Sequence, residues 1–296
     1  MKSMNTQQGE RSLGGWRWVA LAALTLAAAC GQAMEPGVAT VSGTDPEVVD
    51  EAPETGEVSA AWKSQAPTIV LTASGNIAGA VDQFRLLLGD PLNVIPGQQR
   101  SGRREINWDG VPAALTNVDT FPGDFFNSVD PAAPAGRKRG AVFTTPSAGF
   151  RVSDNDFADV DPSYGDEFNA FSLPRTFMVA GGTTLDATFR VAGTDIPAHV
   201  RGFGVVFSDV DRVGSAKVEY FDKRGRSLGV FAALARSDAS GLSFLGVVFD
   251  QARVARVRIT SGEAALSLGT KDLSAGGTAD LVVMDDYLYG EPRRIW

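Results

Sequence analysis

The 296-residue chain contains one cysteine and one histidine, and those two scarcities exclude much chemistry. A zinc site needs two or more imidazoles or thiolates, which Cys30 and His199 alone do not supply. No intrachain disulfide can form, so stability has to come from an ordinary packed core. A Ser-His-Asp triad would depend on His199, but no Gly-x-Ser-x-Gly elbow is present, and His199 reads as a surface residue at the start of a strand. No Walker loop occurs, and Gly202-Phe-Gly204 lies within a strand with no helix after it, so it is no dinucleotide fingerprint. Basic residues are outnumbered as well, 27 against 35 acidic ones. Phosphate binding needs basic patches, so nucleic acid is not an expected partner.

The beginning of the chain says where it goes. Lys2, Arg11 and Arg17 precede an apolar run from Trp18 to Ala29, and Cys30 follows at once. The run is too short to span a bilayer and ends in small residues, which is the pattern of a secretory leader. Cleavage after residue 29 would place the only thiol at a new N-terminus, so residues 1–29 resemble a bacterial lipoprotein signal with lipidation at Cys30. Such boxes usually carry a larger aliphatic residue where Ala27 stands; ordinary secretion with an incidental cysteine is the alternative. By resemblance to known sorting behaviour, Gly31 after the cysteine favours the outer membrane of a Gram-negative cell. Several acyl chains on one cysteine suffice to hold a domain at a membrane.

Without residues 1–29 the chain keeps 24 basic and 34 acidic side chains, a net charge of −10. That leaves carboxylates to spare for a hard cation such as calcium. Residues 30–66 carry Glu35, Asp45, Glu47, Asp50, Glu51, Glu54 and Glu57 against Lys63 alone, with no apolar periodicity, and read as a disordered acidic tether. A flexible chain of that length spans roughly 30–35 Å root-mean-square.

Residues 67–292 read as one all-β domain. After a strand-like run at 68–72, Ile77, Val81, Phe84 and Leu88 recur at helical spacing, with Ser74 or Asn76 placed to cap and Gly89 to close. Runs rich in Val, Phe, Thr and Tyr then recur about every ten residues, broken by Gly, Asp, Pro and Ser. In 254–259, Arg256 and Arg258 share one face while Val257 and Ile259 share the other. In 217–221, Lys217, Glu219 and Phe221 oppose Val218 and Tyr220, and Asp222-Lys-Arg-Gly225 reads as a hairpin turn. One wet and one dry face predicts antiparallel sheets packed as a jelly-roll-type β-sandwich with one short N-terminal helix.

The sharpest local signature runs through 202–211, 218–225, 244–249, 254–259 and the closing Leu281-Val-Val-Met-Asp-Asp-Tyr287. It resembles a group of exported bacterial lipoproteins with jelly-roll domains, in which a final Val-Asp-Asp-aromatic strand precedes a glycine. More distantly it is similar to galactose-binding-like and other carbohydrate-binding β-sandwich modules. The resemblance covers roughly 140–290. It implies a sandwich that binds a glycan or a surface protein, and a structural calcium ion near the terminal strand, with Asp286 or Asp285 as ligand.

Three acidic clusters and one aromatic loop are the residue-level candidates. Asp209 and Asp211 leave a buried strand as alternate aspartates and can present oxygens to one cation; a polar turn is the plainer alternative. Asp285 and Asp286 are adjacent in an apolar strand, so one of them should face the core and need an arginine such as Arg201 or Arg212, a metal, or main-chain donors. The acids of 154–161, with Asp166 and Glu167 beyond, match no ligand spacing and read as a solvated loop. The short basic clusters Arg103-Arg104 and Arg137-Lys-Arg139 read as solvated turns. For a sugar, Trp108 between Asn107 and Asp109, together with Tyr164, is the candidate binding group, since sugar rings lie flat on exposed aromatic faces. Two further classes stay open. A polysaccharide-active hydrolase would draw an acid pair from Glu105, Asp109, Glu167 and Glu219. A purely structural surface protein would need no small ligand.

Overall fold

Alternating apolar residues drive this chain into strands. The computed structural model describes residues 67, 69–237 and 241–296; the expected leader, Cys30 and the acidic tether lie outside the described residues. The elements are β1 (Ile69–Ser74), α1 (Ala78–Leu88), β2 (Arg103–Ile106), β3 (Ala141–Thr144), β4 (Gly149–Ser153), β5 (Thr176–Ala180) and β6 (Thr184–Arg190). They continue with β7 (Pro197–His199), β8 (Gly202–Ser208), β9 (Lys217–Phe221), β10 (Ser227–Ala232) and β11 (Leu242–Val248). The last three are β12 (Arg256–Thr260), β13 (Val283–Gly290) and β14 (Arg293–Arg294).

Two antiparallel sheets result. One is ordered β1-β11-β8-β13-β5-β4 with β2 also on β13, and the other β10-β9-β12-β6-β7-β14 with β3 also on β6. The central quartets β5-β13-β8-β11 and β6-β12-β9-β10 interleave so that the chain changes sheet at almost every step. Within these eight strands only the β9–β10 hairpin stays within a sheet, at the expected Asp222–Gly225 turn. This is jelly-roll order.

Between the sheets lies one apolar core, built from Phe203, Val205 and Phe207 of β8, Tyr287 and Tyr289 of β13, and Leu185, Ala187 and Phe189 facing them. On the outer face of the first sheet, α1 covers β8 and β11 with Val81, Phe84 and Leu88. Gly204 and Gly246 make room for the Phe84 ring, since a Cβ on either would sit 2.6 or 2.5 Å from it. That second cover explains why every residue of β8 is buried. On the second sheet the outer face is wet. Arg258 and Arg256 of β12 pair with Asp186 of β6, and Arg256 lies 3.6 Å over the Phe221 ring, which keeps that outward phenylalanine nearly covered. A third apolar cluster of Phe157, Tyr164, Phe168, Met178, Leu266, Leu281 and Val283 joins the 154–168 segment to the approach to β13.

β2 corrects one expectation. Arg103-Arg104 is part of a strand rather than a solvated turn, and Arg104 is wholly buried. Its guanidinium holds Glu291 through Nε and Nη2, each at 2.9 Å, while Asn93 Nδ2 and the Gln99 N–H donate to the same carboxylate at 2.9 Å. Burial is possible because donors meet both carboxylate oxygens.

Candidate functional site

The aromatic group expected to bind sugar turns out to be the centre of the core. Trp108 adopts φ +64° and swings its indole between the sheets, where Nε1 donates to the Asp285 carbonyl at 2.9 Å. The ring has no exposure and stacks on Phe177 with centroids 3.9 Å apart, so no face is left for a sugar. Tyr164 is also buried, its hydroxyl 2.7 Å from the Thr270 carbonyl and 2.9 Å from that of Ser267. Asn107 and Asp109 stay near the surface, where the Asn107 amide donates to the Asp109 carboxylate and Arg175 holds the other side of Asp109. Partial burial pushes the Asp109 carboxyl up from its ordinary range.

Asp285 finds main-chain donors, one of its expected kinds of partner, while the geometry of the pair differs from simple alternation. The pairing of β13 with β8 slips by one residue between Met284 and Tyr287, a β-bulge. The slip breaks the strict alternation, and both carboxylates meet the same side chain, Ser172, whose Oγ lies 2.6 Å from Asp286 and 3.4 Å from Asp285. Asp285 also accepts the N–H groups of Phe171 at 2.6 Å and Ser172 at 2.9 Å. The cation beside Asp286 is Arg85 of α1 at 3.8 Å, neither Arg201 nor Arg212. Protein donors thus meet this pair. Burial and mutual repulsion push Asp285 up to about 9; burial above all pushes Asp286 up to about 6.

The acids at the end of β8 present the opposite case. Asp209 is wholly buried, sits at φ +67°, and neither of its carboxylate oxygens has a hydrogen-bond partner. Glu167 and Asp272, also buried, each place a carboxylate oxygen beside it, the three atoms lying within 4.8 Å of one another. Asp211 and Asp280 border the group, each with one unpartnered oxygen. Arg212 gives Asp280 only its main-chain N–H, at 2.7 Å, while its guanidinium pairs with Glu263. Burial and then the charge of Asp272 push Asp209 up to about 9, and burial with contact to Asp272 pushes Asp211 up to about 6. Spacing alone points to Asp209 and Asp211, while Glu167 reads as part of a solvated loop and Asp272 and Asp280 give no signal. All three lie 35 or more positions from β8, and local spacing carries no signal over that distance.

At the other end of β8 a cleft of about 260 Å³ opens beside Arg201, Arg293, Asp250, Glu291, Leu88 and Ala252. Arg201 is exposed and its guanidinium has no partner among the described residues, its stem lying against Gly290, where a Cβ would come within 2.9 Å of it. Arg293 donates to the Arg100 carbonyl. Glu291 forms part of the wall, with its charge already matched by Arg104.

No protein family matches the sequence, and no curated protein does. Among solved structures the fold has distant likenesses. One is the enzymatically active domain of tailspike protein 4 from bacteriophage CBA120, at 11% identity and a TM-score of 0.27 over 61% of this chain. The chain spans only 22% of that domain's length. Another is TmCBM61, solved in complex with β-1,4-galactotriose, at 11% identity and a TM-score of 0.27 over 59% of this chain and 95% of that one.

The carboxylates weighed for hydrolysis are dispersed among other tasks. Glu105 is clamped by Arg85 and Arg103, Glu167 belongs to the Asp209 group, and Glu219 lies opposite Arg258 on the outer face of the second sheet. Lys138, expected in a solvated turn, is buried and donates to the Pro131 carbonyl at 3.1 Å. His199 is half-buried on β7.

Proposed function

We propose that the chain is an exported module, anchored at the outer membrane by a lipid on Cys30, that binds an acidic glycan without transforming it. The observation that carries this reading is the cleft beside Arg201. A guanidinium without a protein partner is a planar donor suited to a carboxylate, and Arg293 adds a second positive charge. Ala252 offers a small apolar surface to the C–H face of a sugar ring. Glu291 does not oppose an anion as a free carboxylate would, because Arg104 neutralises it. The anchor rests on the leader-like run before Cys30 and the acidic stretch after it.

Binding of the full chain to uronate-containing and neutral oligosaccharides, compared with its Arg201→Ala variant, tests the ligand class. The expected result is uronate binding that falls at least tenfold in the variant. Equal binding of neutral sugars, or no loss in the variant, overturns the cleft assignment. Cys30→Ala is expected to release the protein from the membrane fraction, and retention there would sink the anchor.

A further inference from the structure

We infer that Glu167, Asp209 and Asp272 hold a calcium ion that staples three distant stretches of chain together. The inference stands apart from the glycan reading, since it concerns the opposite end of β8.

Geometry comes first. In a calcium shell the metal–oxygen bonds run about 2.3–2.6 Å, so two ligand oxygens lie at most about 5 Å apart. The three carboxylate oxygens fall within 4.8 Å of one another, inside that limit. Burial supplies the second argument. Asp209 has no solvent exposure and no donor for either oxygen, yet an anion taken out of water needs a compensating charge or hydrogen bonds. The guanidinium nearest in sequence, that of Arg212, is engaged with Glu263.

The neighbouring oxygens are already held in position. Ser274 donates its N–H to Asp272 Oδ2 at 2.6 Å and its hydroxyl to Glu167 Oε1, so one residue orients two ligands. The Leu281 N–H fixes Asp272 Oδ1 at 2.6 Å, and the Arg212 N–H fixes Asp280 Oδ2 at 2.7 Å. The oxygens left without donors are both of Asp209, Oδ1 of Asp211 and Oδ1 of Asp280. An all-oxygen set with no imidazole or thiolate selects a hard cation. Calcium accepts six to eight oxygens in irregular arrangements, whereas magnesium demands a near-ideal octahedron and keeps its waters, which suits a buried carboxylate group poorly.

The ion's structural role follows from the chain positions. Glu167 belongs to the segment after β4, Asp209 follows β8 directly, and Asp272 lies in the long approach to β13. The third apolar cluster joins the first and last of these segments, and the cation ties both to the central strand. In a protein whose only cysteine is Cys30, it does the work of a cross-link.

The test is calorimetric titration of the full chain with calcium chloride, together with thermal melts in calcium and in EDTA. One calcium per chain and a melting point several degrees higher in calcium are expected. Asp209→Asn and Asp272→Asn should weaken calcium binding at least tenfold. If either fails to fold, Asp211→Asn, at the half-exposed border, should still fold and bind more weakly than the parent. Asp285→Asn, in the other acid pair, should bind as the parent does. No calcium heat, with EDTA without effect and Asp209→Asn melting above the parent, overturns the inference, because the substitution would then only relieve an unpaired buried charge. A shift with magnesium as large as that with calcium overturns the choice of ion. No glycan enters these readouts, so a failure of the cleft reading leaves them unaffected.

Discussion

Trp108 lies nearly parallel to Phe177, with 5° between the ring planes and 3.9 Å between centroids, and meets Phe126 and Tyr287 edge-on. The loop that looked most like a binding platform is therefore the plug of the sandwich. Trp108→Ala is expected to destabilise the domain by about 3–5 kcal/mol, the usual cost of emptying a large aromatic site. Chemical denaturation would measure it. A loss below about 1 kcal/mol would mean that the indole is not packed as described.

Arg104 and Glu291 make the second prediction. Both side chains are essentially without exposure, so removing one leaves the other charged and unpaired. Glu291→Ala should cost about 3–5 kcal/mol. Replacing both, Arg104→Met with Glu291→Leu, should recover much of that loss, and a double variant as unstable as the single one would show that Asn93 and the Gln99 N–H carry the arrangement instead.

Asp285 and Asp286 make stability depend on pH. Burial raises both carboxyl groups above the ordinary range, to about 9 and about 6, so the folded protein holds their protons more tightly than the unfolded chain. Their contribution is full below about pH 4 and is lost as pH rises through about 6 and then about 9. At a fixed calcium concentration, Asp285→Asn should flatten the fall in melting temperature across that window. An unchanged slope would place the dependence elsewhere.

Much of this architecture was legible because strands with one wet face announce themselves. Val257 and Ile259 opposite Arg256 and Arg258, the Asp222–Gly225 turn, and the helical spacing of Val81, Phe84 and Leu88 all appear as expected. What escaped notice depends on partners far along the chain. Arg104 looks like a surface charge until Glu291, 187 positions later, is brought beside it. A bulge of one residue turns Asp285 and Asp286 toward a common neighbour, and nothing in Met-Asp-Asp-Tyr encodes that slip locally. Asp272 and Asp280 sit among glycines and alanines, and only the fold reveals that they converge with Glu167 on Asp209.

β8 has Arg201 immediately before it and Asp209 immediately after it. At about 3.4 Å per residue these ends stand roughly 27 Å apart. The two ends of the strand differ in chemistry, with two arginines set among Asp250 and Glu291 at the cleft and the carboxylates of Glu167, Asp209 and Asp272 gathered at the far end. At that separation, substitutions at one end are expected to leave binding at the other unchanged.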